Sequence, residues 1–215
     1  MAIAIICDIR GSRKIANWGK VYSNIEKKLE KLNKEFQNEI IVPVRFTVGD
    51  EFQGVFKNPE NIVDIIRFLK VHITVGFYCG IGTGDIELPI EDMKAMRGTA
   101  FYRARNAIEI CKKKKRDFYF KTDVNFLDAP LNAILYLIHS IESGWTERQR
   151  EIANFYRLNP LTTYEEIGRH FGVTRQTIMK ILKAAKFHAI KEGEEAIREL
   201  LKGVNQIGFT YKNNL

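Results

Sequence analysis

Residues 2–12 read AIAIICDIRGS, an apolar run that ends in an aspartate, an arginine and a glycine-serine pair. Six consecutive apolar residues are typical of a strand buried on both faces. After the polar stretch, apolar side chains recur at steps of three and four residues from Tyr22 to Phe36, which predicts an amphipathic helix. The fold is therefore expected to begin with a buried strand followed by a surface helix.

The later segments extend this order to β-α-β-β-α-β, followed by α-β. Residues 42–48 are predicted as a strand, and Pro43 places it at an edge of the sheet. Gly49-Asp50 then predicts a tight hairpin into a strand over 51–56. We also predict helices over 60–70 and 101–111, strands over 71–80 and 117–122, a turn containing Gly80, Gly82 and Gly84, and an irregular segment over 85–97. The first block, β-α-β-β-α-β, is typical of an α+β, ferredoxin-like antiparallel sheet with its helices on one face.

The composition is that of a globular protein. The chain has 215 residues, of which 45% are hydrophobic and 28% charged, and 34 basic against 26 acidic residues give a net charge of +8. This charge raises the expectation of a polyanionic partner. The sequence lacks both a membrane-length apolar run and a signal peptide, so we expect a cytoplasmic protein without membrane contact. Three widely spaced cysteines suggest neither disulfides nor a zinc site.

The C-terminal part predicts a series of short capped helices. Thr146 is the expected N-cap of the first, and Thr163 with Glu166 forms a capping box for the second. Gly168 allows two helices to approach closely, and Gly172 supplies the turn between them. The stretch 145–182 resembles the helix-turn-helix of sigma-factor region four and related regulators.

The third capped helix, which follows Thr174, is the candidate recognition helix. Side chains near the start of such a helix contact base edges and phosphates in the major groove of DNA. We predict base contacts from Arg175, Gln176 and Thr177, and phosphate contacts from Lys180 and Lys183. The alternative is a helical bundle that only packs. The basic run 112–116 at the end of an earlier helix is interpreted as a solvated helix terminus in preference to a nucleic-acid patch.

Two carboxylates are predicted to meet at one edge of the sheet. In a split β-α-β arrangement the first strand lies antiparallel to the third, which brings Asp8 next to Asp50. Adjacent carboxylates repel, and a divalent cation, Mg²⁺ or Mn²⁺, relieves that repulsion and can bind nucleotide phosphates. The structural alternative is that Asp8 caps a turn and Gly-Asp is an ordinary hairpin. Glu51 is expected to point to the other face from Asp50.

The motifs CDIRGSR (7–13), GDEFQG (49–54) and GTAFYRAR (98–105) resemble the SatD family, whose members join a domain like the class III nucleotidyl cyclase palm to a helix-turn-helix. The cyclase resemblance implies metal ligation by Asp8, Asp50 and the Ile9 carbonyl. It also implies nucleotide binding by Gly11, Ser12 and Arg105, with Arg105 as a candidate catalytic residue. Arg105 can equally be a solvated surface residue. Two positions depart from the cyclases: Phe46 replaces their purine-reading lysine, and Phe101 replaces their ribose-orienting asparagine.

These inferences combine into one predicted organisation. Residues 1–125 form the cyclase-like domain, 126–143 a linking helix, 144–202 the helix-turn-helix domain and 203–215 a tail. The predicted function is a DNA-binding transcriptional regulator that binds a nucleoside triphosphate or related nucleotide with its metal ion. The alternative is a metal-dependent nucleotidyl cyclase or nucleotidyltransferase (a cyclase-type lyase, if active), and a third possibility is an inert dimerisation scaffold. The expected partners are double-stranded DNA, the nucleotide and a second copy of the chain.

Overall fold

The computed structural model describes residues 1–87 and 97–212, with side chains up to residue 203, and these residues form a mixed α+β structure. Most of the predicted irregular segment 85–97, and residues 213–215 of the tail, lie outside the described residues. The strands are β1 (Ala2–Ile9), β2 (Ile40–Val48), β3 (Glu51–Phe56), β4 (Phe77–Gly84) and β5 (Phe118–Lys121). The helices are α1 (Trp18–Glu35), α2 (Ile62–His72), α3 (Thr99–Lys114), α4 (Asn125–Ser143), α5 (Glu147–Leu158), α6 (Tyr164–Phe171), α7 (Arg175–Ala184) and α8 (Phe187–Lys212).

The chain divides into two compact units. The first contains Met1–Ala133 and Ile197–Leu215, and the second contains Ile134–Ala196. Residues 203–212, which the sequence left without a predicted structure, continue α8. Across the described residues, each helix is either too short or too polar to cross a membrane.

The sheet has the strand order β2-β3-β1-β4-β5. The first four strands are antiparallel to their neighbours, and β5 is parallel to β4. The prediction that Pro43 marks an edge strand is confirmed, because β2 is the outermost strand on its side. β1 lies in the centre, and its residues are almost wholly buried, as the apolar run predicted.

Helices cover both faces of the sheet. Ala2, Ala4 and Ile6 of β1 pack with Ala104 and Ile108 of α3. The alternate residues of β1 face the other side, because side chains along a strand alternate between faces. There Phe52, paired with Cys7 of β1, contacts Phe46, which stacks on Tyr22 of α1. The expectation of helices on one face holds for α1 and α2, and α3, which follows that block, covers the opposite face.

The glycines of β4 decide how closely α3 approaches. A Cβ at Gly80 would lie 2.2 Å from the Ala104 carbonyl oxygen, and one at Gly82 would lie 2.2 Å from that of Ala100. Any larger residue would push α3 off the sheet. The predicted turn at Gly80, Gly82 and Gly84 is therefore wrong: these residues lie within a strand, and glycine serves there for close backbone contact and not for chain reversal.

The boundary between α2 and β4 also differs from the prediction. Val71 and His72 end α2, whereas the sequence placed them in the following strand. Apolar residues recur at Val71, Ile73 and Val75 between the helix and the strand, so hydrophobicity alone does not mark where the helix stops. Ile73–Gly76 lie between the two elements, and β4 begins at Phe77.

Candidate functional site

The C-terminal end of β1 meets the start of β3, as the strand order predicted. Asp8 lies directly opposite Glu51 in the antiparallel pair, and the Ile9 amide donates to the Asp50 carbonyl oxygen at 3.3 Å. Residues opposite each other in an antiparallel pair point to the same face of the sheet. Asp8 and Glu51 therefore both face α3, and Asp50 immediately precedes Glu51 in the hairpin turn. We call Asp8, Asp50 and Glu51 the acidic end.

Two basic side chains of α3 hold this acidic end. Arg105 makes two hydrogen bonds to the carboxylate of Glu51, one of them of 2.8 Å from Nη2 to Oε1. Lys112, two helical turns later, donates to Asp8 at 2.8 Å. The Glu51 carboxylate raises the pKa of Arg105 above its usual value. Both contacts depend on the close approach of α3 to the β4 glycines. This approach brings the Arg105 and Lys112 side chains within hydrogen-bonding distance of Glu51 and Asp8.

The loop after β1 carries the remaining predicted residues of this site. Gly11 adopts a left-handed φ of 61°, which glycine tolerates without strain, and Ser12 begins a short 3₁₀ turn. The Ser12 hydroxyl donates to the Asp50 carboxylate. Arg10 forms an ion pair with Asp117, and its guanidinium lies 4.1 Å from the centre of a tyrosine ring. The structure thus joins Ser12 to Asp50 and Arg105 to Glu51.

The donors of the acidic end match only part of a metal site. Within residues 1–87 and 97–203, no three His, Cys, Asp or Glu side chains form a group that could hold a metal ion. Mg²⁺ in nucleotide sites uses one or two carboxylates, with phosphates and water as further ligands. Asp8, Asp50 and the Ile9 carbonyl fit that smaller set by donor type. Here Lys112 and Ser12 engage the two carboxylates.

Two of the site's residues were missed from the sequence. Glu51 was expected on the other face from Asp50, and Lys112 was interpreted as part of a solvated helix end. The sequence does not reveal the register of β1 against β3. In the structure Asp8 lies opposite Glu51, one residue away from the expected partner Asp50. For Lys112, the signal was its spacing of seven residues from Arg105, which places both on one side of a helix.

The two positions that depart from the cyclases are filled by packed aromatic rings. Phe46 stacks on Tyr22, with 4.1 Å between ring centres, and Phe101, a residue of α3, is 5% exposed in the core between α3 and the sheet. These side chains supply apolar surface on which neighbouring elements pack. Neither offers a hydrogen-bonding group for a base or a ribose.

In the second unit, α6 and α7 are joined by a short turn whose geometry the sequence predicted. Thr163 accepts from the Glu166 amide and the Glu166 carboxylate accepts from the Thr163 amide, which confirms the capping box. Gly172 has a left-handed φ of 67°. A Cβ at Gly168 would lie 2.6 Å from the Val173 carbonyl oxygen, so glycine is needed for the close approach of the two segments.

α7 begins at Arg175 after its predicted cap, Thr174, and has one buried and one exposed side. Ile178 and Leu182 are buried against the rest of the unit. The Thr177 hydroxyl lies 3.0 Å from that of Thr174, so it takes part in the cap. The predicted DNA-contacting side chains that are exposed are Arg175, Gln176, Lys180 and Lys183.

Comparison with known proteins gives one family-level result. A search of the curated proteins found no match to this chain. The family model of the SatD family matches residues 2–201, which include all of the sheet, α1 to α7 and most of the described part of α8. The match agrees with the three motifs on which the sequence resemblance rested, and the chain belongs to the SatD family.

Proposed function

We propose that this protein is a DNA-binding transcriptional regulator whose N-terminal unit binds a nucleotide together with Mg²⁺ or Mn²⁺. The observation that carries the DNA part is the exposed basic side of α7, which follows a tight glycine turn and a capped α6. Helix-turn-helix proteins present their recognition helix in this way. A bundle that only packs has no need of a basic residue at each turn of this exposed side.

The residues of α7 divide by their position along the helix. Arg175 and Gln176 lie at its start, where recognition helices contact base edges, and their long side chains make the bidentate contacts that distinguish bases. Lys180 and Lys183 lie further along and are suited to phosphates. Thr177 is a weaker candidate for base contact because its hydroxyl is engaged by Thr174.

For the N-terminal unit, the proposal is a cyclase-type palm of ferredoxin-like topology. The antiparallel order β2-β3-β1-β4 with α1 and α2 on one face supports this assignment. Asp8, Asp50 and the Ile9 carbonyl would hold the metal ion, and Gly11, Ser12 and Arg105 would contact the phosphates. The ion would supply positive charge to the triphosphate. Lys112 would have to leave Asp8 for the ion to bind.

An enzyme is the second candidate, and one observation favours it. Arg105 is held at the acidic end with its guanidinium directed at a carboxylate, a position from which it could also neutralise a phosphate. Against turnover stand Phe46 and Phe101, since neither can orient a purine or a ribose. We therefore place nucleotide binding before cyclisation.

The resemblance to cyclases, whose sites form across a homodimer, leads us to propose a dimer. A twofold dimer with one α7 per chain would read a pseudo-palindromic operator whose half-sites lie about 34–36 Å apart, one turn of DNA.

The DNA part is tested by selecting bound duplexes from a random-sequence pool with the full chain. We expect enrichment of a palindromic sequence. Lys183→Ala should weaken binding to all duplexes and reduce the slope of log K against log salt by about 0.9. Lys113→Ala, which removes an exposed lysine from the other unit, is the matched control. No enrichment, together with salt-independent binding, would contradict the proposal.

The nucleotide part is tested by calorimetry with ATP or GTP and Mn²⁺, alongside an assay for cyclic nucleotide and pyrophosphate. Binding without product, lost in Asp8→Asn and Asp50→Asn but kept in the control Glu30→Gln, supports the sensor. Product formation that depends on the same two aspartates supports the enzyme. The absence of both binding and turnover supports a scaffold.

A further inference from the structure

A cleft of about 530 Å³ lies beside α7 in the second unit. Its walls come from α5, α6, α7 and α8, and its surface is mostly carbon. Clefts of about 300–1,000 Å³ with apolar walls and a few polar groups are typical of small-molecule sites. Nothing in the DNA-binding role of α7 requires such a cavity.

One wall of the cleft is aromatic. Tyr156 packs edge-on against Tyr164 and is tilted against Phe187, with 5.5 Å between ring centres in both pairs. Such rings offer faces and edges to another planar ring. Burial raises the pKa of Tyr164, and its hydrogen bond with Tyr156 adds to the effect. The Tyr164 hydroxyl is therefore neutral at physiological pH and remains a hydrogen-bond donor or acceptor.

The charged residues that line the cleft are basic. Lys180, Lys183 and Lys191 line it, and none of the described residues that line it is acidic. Lys191 Nζ lies 5.6 Å from the centre of the Tyr156 ring, so a cation stands directly over the aromatic wall. An inorganic anion would use the lysines and leave the rings without a partner. A ligand that matches both features has a flat aromatic body and a negative charge.

We propose that this cleft binds a small planar aromatic anion of the aromatic carboxylate class. Its ring would lie against Tyr156 and Tyr164, and its carboxylate would meet Lys191. Lys180 and Lys183 are shared with the phosphate contacts of α7, so the bound anion would compete with DNA. This second step rests on the proposed function, whereas the binding of the anion does not.

Binding is tested by calorimetry on the full chain with naphthoate as the probe. Naphthylmethanol, which has the ring without the charge, and hexanoate, which has the charge without the ring, should each bind about tenfold more weakly. Lys191→Gln should lower naphthoate affinity about fivefold. Lys113→Gln, an exposed lysine outside the cleft, should leave it unchanged.

Tyr164→Leu gives a second test of the ring contact, and thermal unfolding checks that this variant folds. Lys191 is exposed, so we expect Lys191→Gln to fold. This variant still tests the proposal if Tyr164→Leu is unfolded. Equal affinity for naphthoate and naphthylmethanol, or unchanged naphthoate binding in Lys191→Gln, would overturn the proposal. So would the absence of naphthoate binding at millimolar concentration.

Competition is tested by adding saturating naphthoate to the protein with its selected duplex. DNA affinity should fall about fivefold in the wild type and less in Lys191→Gln. Unchanged DNA affinity while naphthoate is bound would overturn the competition step. If the chain binds no DNA even without naphthoate, the proposed function fails, and the naphthoate titration still decides the cleft.

Discussion

The exposed side of α7 and the acidic end of the sheet are both rich in charge, but the two regions use it differently. In the part of the chain that the structure describes, no hydrogen bond or ion pair engages Arg175, Lys180 or Lys183. Asp8 and Glu51 are each held by a basic residue of α3. Exposed and unengaged charges can meet a phosphate at once, whereas paired ones must first exchange a partner. Removing a charge should therefore affect binding in the first region and both pairing and binding in the second.

The largest expected effect is on stability, when α3, whose basic residues pair with the acidic end, is displaced from the sheet. Gly82→Ala would place a methyl group 2.2 Å from the Ala100 carbonyl oxygen and 2.3 Å from the Ala104 amide nitrogen. Because backbone atoms cannot give way as a flexible side chain can, α3 must shift. We expect the free energy of unfolding to fall by about 3 kcal/mol. Urea denaturation followed by circular dichroism measures it.

Gly19→Ala is the matched control for this change. Gly19 lies in α1, and nothing is within 4 Å of the position that its Cβ would take. Alanine is a better helix former there, so we expect a gain of about 0.8 kcal/mol in the free energy of unfolding. Equal stability of the two variants would show that the β4 glycines do not set the approach of α3.

At α7, Arg175→Ala should change recognition and leave stability unaltered. The side chain is exposed and has no partner among the described residues, so its loss costs the folded unit little. In a complex it should remove about 1–3 kcal/mol of discrimination at one base pair. Binding of the selected duplex and of its single-base variants measures this change. Arg13→Ala serves as the control, and a uniform loss across all duplexes would reassign Arg175 to a phosphate.

At the acidic end, Lys112→Gln should strengthen the binding of a cation, whereas Arg175→Ala weakens the recognition of DNA. The ion pair with Asp8 is partly exposed and contributes at most about 1 kcal/mol to stability. Without it, Asp8 is available to a cation, so we expect Mn²⁺ affinity to rise about fivefold. Lys113→Gln, the neighbouring exposed lysine, should leave that affinity unchanged. If Mn²⁺ binding is the same in both variants, Asp8 is not a ligand.

The two regions also differ in how far the sequence predicts them. Thr163 and Glu166 act within one turn of chain, so their capping box was readable from spacing alone. The acidic end depends on a strand register, and the single-residue difference between Asp50 and Glu51 opposite Asp8 has no local signal. Gly82 shows the same limit, because glycine at a turn and glycine under a helix are identical in sequence. Local chemistry is therefore predictable here, and long-range registration is not.

The smallest expected effect is on the stability of α6, through the charge of Glu166 in its capping box. The Thr163 amide and hydroxyl donate to Glu166 at 2.7 and 2.8 Å, and these hydrogen bonds lower the pKa of Glu166. A lowered folded-state pKa means that the ionised carboxylate stabilises the fold. This contribution is complete above the unfolded-state pKa of about 4.3 and is lost as the pH falls through the lowered folded value.

Glu166→Gln keeps the shape of the capping box but removes its charge. We expect a small stability difference from the wild type that is constant above about pH 5 and shrinks below about pH 4. Thermal unfolding across this range measures it, with Glu165→Gln as the control because Glu165 is exposed in the same first turn. A difference that persists unchanged at low pH would mean that the substitution acts through shape. The charge of Glu166 would then play no part in stabilising α6.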